Sequence, residues 1–298
     1  MCGIVGYASE KQIRVNAAIF KQLQACLDDI AHRGPDDAGI NFEDHVLLGH
    51  RRLSILDLST SAKQPFLSAC KRYSLAFNGE IYNYLELKSE LEAQGVIHQT
   101  TSDTEVLLNL LIKRGESCLT QLNGMFAFAF YDNVTKKLLL ARDRFGKKPL
   151  FYSHEKGELI FCSELYPLRH FDSLQNREIN TDALSSYFST QFIGGDETIY
   201  QGIYQLPAAS YLIYEDGQIS TQCYWNLEHI DNASLSYEEA KVEFQKLLSD
   251  AVNIRLRADV PLGSFLSGGL DSSVITKLMQ DATGNVNSFS MGFDDPSY

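Results

Sequence analysis

Met1-Cys2-Gly3-Ile4-Val5-Gly6 opens the chain, and the position of its cysteine governs how the rest is read. A Met followed by a small residue is a substrate for methionine aminopeptidase, so the mature chain is expected to begin at Cys2. One residue then carries both a thiol and a free α-amine. The amine, with a reference pKa of about 8, is a base already tethered beside its nucleophile, and no separate histidine is required. The other reading of these residues is a buried cysteine near a strand end. What the following residues place around the thiol decides between the two.

A length of 298 residues favours two domains. A net charge of −12 opposes a nucleic-acid or anionic-membrane partner, since both need a basic face. No apolar run approaches a membrane span. The N-terminus lacks the basic stretch and apolar core of a signal peptide, so Cys2 is not expected to be a lipidated cysteine behind a leader. Cys2, Cys26, Cys70, Cys118, Cys162 and Cys223 are scattered, with no Cys-x-x-Cys pair. That pattern suits reduced thiols in a cytoplasmic protein, not disulfides or a zinc site.

Strand and helix signals alternate to about residue 215. Ala17 to Ile30 places Ile19, Phe20, Leu23, Leu27 and Ile30 on one helical face. Asn83 precedes a helix to Gln94, with Glu86 at the reciprocal capping position and Gly95 as a stop. Ser102-Asp103-Thr104-Glu105 reads as a second capping box, and Gly115 ends that helix. From Met125 the period becomes two: Phe126, Phe128 and Phe130 alternate with Ala127 and Ala129, a stripe best read as core. The chain then turns at Asp132-Asn133 into a strand at Leu138 to Ala141. Residues 170–200 read as a surface connection, and a strand pair turned by Asp216-Gly217 closes the domain. Beyond it, Tyr237 to Arg257 reads as a helix burying Ala240, Phe244, Leu247, Leu248 and Ala251. A strand, a Gly-rich turn, a helix from Ser272 to Asp281 and a strand at Val286 to Met291 begin a parallel α/β domain.

Four short patterns bear on the thiol. They are His32-Arg33-Gly34-Pro35-Asp36, the strand edge His50-Arg51-Arg52-Leu53-Ser54-Ile55, the turn Phe77-Asn78-Gly79-Glu80-Ile81-Tyr82-Asn83, and Asp103 at its helix mouth. Each alone has an ordinary reading: Arg52 as a surface salt bridge, Asn78-Gly79 as a hairpin turn, Asp103 as a helix-start charge. Together, and with Arg142-Asp143-Arg144-Phe145-Gly146, Lys148-Pro149-Leu150 and Ser163-Glu164, they resemble the class II glutamine amidotransferases over residues 2–215. The resemblance implies an α+β N-terminal-nucleophile αββα sandwich. It implies that Cys2 is the nucleophile, and that Asn78 and Gly79 form the oxyanion hole. It also implies that Arg52 binds the glutamine α-carboxylate, with Asp103 and Glu80 around the α-amino group and Arg52, Leu53, Ser54, Ile55 and Leu56 lining the substrate. The chemistry agrees, because amide hydrolysis needs a nucleophile, a proton carrier and donors for the tetrahedral oxyanion. A planar guanidinium suits a carboxylate, and a fixed carboxylate suits an ammonium.

Ser267-Gly268-Gly269-Leu270-Asp271-Ser272-Ser273 follows an apolar strand and opens a helix. Backbone N–H groups and the helix dipole there make an anion site. It is not a Walker A loop, which would need a lysine. It resembles the PP-loop of ATP pyrophosphatases. That resemblance implies ATP contacts from Leu266, Ser267, Gly268, Gly269, Asp271, Ser272 and Met291, with Asp271 helping to hold Mg²⁺. Glutaminase first and PP-loop second is the order of the glutamine-hydrolysing asparagine synthetase family, from which Ala208-Ala209-Ser210 and Ser264 depart slightly. The expected organisation is a glutaminase domain at 2–215, a linker at 216–236, and the first part of a Rossmann-like parallel-sheet synthetase domain at 237–298. The resemblance implies glutamine, aspartate and ATP as substrates, Mg²⁺ as the metal and no organic prosthetic group; a homodimer is left open. The chain as given is expected to be competent for glutamine hydrolysis alone, because a second ATP loop and the acceptor site are expected further on. The alternatives are amidation of another carboxylate, on a sugar acid or peptide, and an inactive glutamine-binding module.

Overall fold

The computed structural model describes residues 2–13, 17–227, 235–292 and 294. The chain divides into two units, Met1–Leu227 and Glu228–Tyr298. Among the described residues no helix is long and apolar enough to cross a membrane.

Unit 1 begins with β1 (Gly3–Ser9), α1 (Ala17–Asp29), β2 (Asp37–Glu43), β3 (Val46–Arg52), β4 (Phe66–Leu67) and β5 (Tyr73–Ile81). The helices α2 (Tyr84–Ala93) and α3 (Asp103–Arg114) follow. Next come β6 (Gly124–Asp132), β7 (Lys137–Arg142), β8 (Phe151–Glu155) and β9 (Glu158–Cys162). The unit ends with α4 (Thr181–Thr190), β10 (Tyr204–Gln205), β11 (Ser210–Glu215) and β12 (Gln218–Cys223). The strands form two antiparallel sheets, ordered β10-β8-β9-β1-β3-β2 and β12-β11-β7-β6-β5-β4.

The alternation along β6 explains the layering. Ala127, Ala129 and Tyr131 turn toward the first sheet and pack with Ile4, Ala8, Leu48 and Phe161. Phe126, Phe128 and Phe130 turn the other way, onto α2 and α3. The opposite face of β1, with Val5 and Tyr7, packs on Leu23, Cys26, Leu27 and Ile30 of the first helical segment. The result is helix, sheet, sheet, helix, the αββα sandwich. Each fully buried Phe of β6 contributes about 2–3 kcal/mol relative to exposure. Gly6 is required by this packing, because a Cβ there would lie 2.1 Å from Cζ of Phe161.

The structure revises several expectations. Asn78-Gly79 is not in a turn: both residues lie inside β5, opposite Ala127 and Phe126. Glycine is needed there for close approach, since a Cβ on Gly79 would sit 2.3 Å from the Met125 carbonyl oxygen. The Ser102 hydroxyl caps α3 through Thr104 N–H, while Glu105 accepts from the N–H groups of Gln99 and Thr100 instead of completing a box. Likewise Asn83 leaves α2 uncapped and bonds Gln121 and Asn123. The stretch read as a surface connection contains α4, capped by Asn180, whose only buried residue is Ala183. The strand pair expected around Asp216-Gly217 is present, residues 218–223 pairing with β11 along its whole length, so the pair that closes unit 1 runs past residue 215 into the stretch also read as a linker. The remainder of that linker includes residues 228–234, which lie outside the described residues.

Unit 2 contains α5 (Tyr237–Ile254), β13 (Gly263–Phe265), α6 (Leu270–Thr283) and β14 (Asn287–Phe289). β13 and β14 pair in parallel and α6 makes the crossover between them. Two short strands offer too little surface to cover both helices. Phe244 and Leu247 of α5, expected to be buried, are 63% and 58% exposed.

Candidate active site

The register of the first sheet sets Gly3 opposite Arg51, so Cys2 lies where β3 ends in Arg52 and Leu53 follows. Leu53 N–H donates to Cys2 Sγ at 3.3 Å, and Arg33 Nε donates to the Cys2 carbonyl at 3.0 Å. Arg33 is in turn paired with Glu164, and Ile4 N–H donates to Ser163 Oγ at 2.9 Å. The motifs His32–Asp36 and Ser163-Glu164 therefore pin the segment that presents the thiol. Cys2 is half-buried, and desolvation raises its thiol pKa, opposed by the Leu53 bond.

One cleft collects residues from both sheets and from α3. Cys2, Arg52, Leu53, Ile55, Leu56, Asn78, Gly79, Glu80 and Asp103 line it, together with Gln64, Phe77, Ser102, Thr104, Met125 and Lys148. Asn78 is fully buried, and neither its amide nitrogen nor its oxygen has a hydrogen-bond partner among the described residues. A buried amide left unbonded costs about 1–3 kcal/mol, so this side chain is poised for a polar group brought from outside. Arg52 is held by the carbonyls of Leu56, Asp57 and Ser59, which occupy part of its fork of five N–H donors.

Burial also sets the charges. Desolvation lifts Asp103 to a pKa of about 7, opposed by the bond it accepts from Ile81 N–H at 3.0 Å. Glu80 is raised by burial and Lys148 lowered by burial, each partly offset by the charge of the other. The Asp143 carboxylate accepts from the N–H groups of Phe126, Phe145, Lys147 and Lys148, and the Arg142 guanidinium donates to the carbonyls of Gly146, Lys148 and Leu206. This explains the Arg142–Gly146 motif: it folds the loop that brings Lys148 to the cleft.

Not every expected residue arrives. Ser54 does not line the cleft; its N–H donates to Asp36 Oδ2 at 2.8 Å. Three other residues had been given no role. Lys148 and His50 stand only within quoted motifs and Gln64 in none, and what His50 and Gln64 touch is the backbone of Phe77, which leaves no local signal. His50 Nε2 donates to Phe77 O at 2.9 Å, and burial depresses its pKa to about 4, so it is neutral near pH 7.

In unit 2 the loop Ser267–Gly269 joins β13 to α6, with Gly268 at φ +84°. Ser267 and Ser272 hydroxyls lie 3.1 Å apart, and Ser272 and Ser273 hydroxyls both donate to the Gly269 carbonyl. Leu266 and Met291 follow the ends of the two parallel strands, bridged by Leu266 N–H to Phe289 O at 2.8 Å. Asp271 is exposed in the first turn of α6. The described residues hold no cluster of three or more His, Cys, Asp or Glu suited to a metal ion.

Comparison with known proteins agrees with this geometry. Asparagine synthetase [glutamine-hydrolyzing] 1 of Bacillus subtilis is 36% identical over 301 residues, covering 100% of this chain and 47% of the relative. Asparagine synthetase [glutamine-hydrolyzing] 3 of the same organism is 37% identical over 284 residues, covering 93% of this chain and 45% of the relative. The chain spans about half the length of the curated relatives it matches. The solved B. subtilis glutamine phosphoribosylpyrophosphate amidotransferase, complexed with ADP and GMP, shares the fold at 20% identity and a TM-score of 0.53, covering 97% of this chain and 65% of that one. Residues 243–298 match the asparagine synthase family model. With the glutamine amidotransferase domain model running over residues 1–225, through the last strand of the sandwich, the chain belongs to the glutamine amidotransferase family.

Proposed function

We propose that unit 1 hydrolyses glutamine to glutamate and ammonia at Cys2. Removal of Met1 leaves the α-amine on Cys2 as the base. The thiol adds to the side-chain amide carbon while its proton passes to that amine. The Asn78 amide and the Gly79 N–H donate to the resulting oxyanion, where fixed donors contribute most. Collapse expels ammonia with a proton returned from the α-ammonium, leaving a thioester that water hydrolyses to glutamate and the free thiol. Arg52 holds the substrate α-carboxylate, Asp103 and Glu80 hold its α-ammonium, and Leu53, Ile55 and Leu56 flank its side chain. The observation that carries this reading is the buried, unbonded Asn78 amide in one cleft with Cys2, Arg52 and Asp103.

The destination of the ammonia follows the second family match. The loop Ser267–Ser272 and the start of α6 would take ATP phosphates, Leu266 and Met291 the nucleoside, and Asp271 would hold Mg²⁺ jointly with phosphate oxygens, as Mg²⁺ sites with one carboxylate do. In the proposed overall reaction ammonia displaces AMP from an aspartyl-adenylate, giving asparagine. Six free cysteines support a reducing, cytoplasmic setting. The test is ammonia release from glutamine without ATP, alongside mass spectrometry for loss of Met1. Cys2→Ala should abolish turnover and retain glutamine binding; equal turnover in the variant would refute the nucleophile.

A further inference from the structure

We infer that His50 and Gln64 are positioning residues of the oxyanion site, holding both backbone groups of Phe77 and, through them, the Asn78 amide and the Gly79 N–H. The inference rests on the glutaminase reading above.

Most of one edge of β5 is free of strand pairing among the described residues. β4 pairs only with Ser74 and Leu75, so among the described residues the rest of that edge has no strand beside it. Beyond β4 the edge is held by side chains. Phe77 N–H donates to Gln64 Oε1 at 2.7 Å, Phe77 O accepts from His50 Nε2 at 2.9 Å, and Ile81 N–H donates to Asp103 Oδ2 at 3.0 Å. Backbone groups of alternate residues in a strand point the same way, so Gly79 N–H faces this edge between two anchored neighbours. A further strand continuing along the edge would have consumed the Gly79 N–H as well. Two side chains at Phe77 fix the backbone and leave Gly79 open to the cleft.

Asn78 gives the second reason. Its amide makes no bond of its own among the described residues, so its placement depends on the peptide before it. Both anchors are themselves well fixed. His50 is fully buried and reaches across from the other sheet, between Ile4 and Gly39 in its own register. Gln64 is buried and spans from Phe77 to Thr104 at the start of α3, where its Nε2 donates to Oγ1 at 3.4 Å. The hole, the sandwich interior and the helix carrying Asp103 thus meet at one residue, Phe77.

The test is steady-state glutaminase kinetics on the full chain. His50→Leu and Gln64→Leu should each lower kcat about tenfold to a hundredfold with KM within about threefold, the effect of a misplaced donor on a formed transition state. His50→Gln, whose amide N–H reaches as far as Nε2, should recover most of the loss. In an Asn78→Ala background, His50→Leu should cost clearly less than in wild type, because one of the two donors it positions is already removed and only the Gly79 N–H is left to misplace. Where a leucine variant fails to fold, the similarly shaped Gln64→Met carries the same comparison. Losses that multiply in the Asn78→Ala background, a loss seen in KM instead of kcat, or an unaffected kcat in His50→Leu overturns the inference while the glutaminase reading stands. A wild-type chain without Cys2-dependent turnover overturns both.

Discussion

Asp103→Asn separates what the cleft needs for binding from what the fold needs for stability. Burial lifts the Asp103 pKa from 3.8 to about 7. Three units correspond to about 4 kcal/mol against the ionised form in the ligand-free protein. Since the folded pKa lies above the unfolded one, the contribution of this carboxyl is full below about pH 4 and is lost as pH rises through about 7. Asparagine is neutral throughout and keeps an oxygen for the Ile81 N–H. The stability of Asp103→Asn relative to wild type should therefore rise by about 2 kcal/mol between pH 5.5 and pH 8, a gain of roughly 4–8 °C in relative Tm for a unit of this size. Calorimetry at the two pH values measures it. Glutaminase kcat/KM should fall about a hundredfold or more at pH 8, because the substrate ammonium loses its buried partner. Wild-type kcat/KM should show an acid limb near pH 7, the free-enzyme carboxyl, and the variant should lack that limb. A stability gap that is constant or shrinks from pH 5.5 to pH 8 would refute the assignment of a buried, raised carboxyl.

Two further perturbations test geometry. Asn78→Ala should lower kcat about a hundredfold or more with little change in KM, and Arg52→Ala should mainly raise KM; exchanged signatures in steady-state assays would mean the two roles are swapped. Gly79→Ala presses a Cβ against the backbone of Met125 and Phe126, so β5 and β6 must separate. Tm should drop by about 4–10 °C and kcat should fall with it; an unchanged melting curve would show the close approach to be unimportant.

Features whose cause is local could be read from the sequence. The Phe/Ala alternation of β6 faces two different layers, and the apolar spacing of α1 and α3 marks their buried faces except at Phe20, which was expected on the buried face of α1 and is exposed. The turn reading of Asn78-Gly79 failed because its reason is tertiary: glycine is there for the Met125 carbonyl, which lies on the neighbouring strand. Glu105 left its capping role for the same kind of reason, drawn to the N–H groups of Gln99 and Thr100. The helix α4 was hidden because Tyr187 and Phe188 are exposed and give no apolar face to count. At the site, the thiol was marked by its place behind Met1, while the guanidinium and amide came from resemblance to a family, not from spacing, since Cys2 and Asp103 come to one cleft only once both sheets have formed. His50 and Gln64 were illegible because their partner is a peptide group that every residue possesses.

The electrostatics of the cleft argue for the kind of ligand it takes. Desolvation disfavours three of the charges in it: it raises Asp103 and Glu80 and lowers Lys148. A ligand with a single net charge would relieve one of these groups and worsen another. A free amino acid brings one charge of each sign on adjacent atoms, so its carboxylate can meet the unfilled part of the Arg52 fork while its ammonium restores Asp103 to the ionised state. The protonation cost of the empty cleft is thereby tied to the α-carbon of the substrate, away from the amide where bonds change. A glutamine side chain within a protein lacks both charges and leaves the buried Asp103 without a cation. On the proposed glutaminase reading, selectivity for free glutamine over a peptide side chain would then follow from the burial of Asp103.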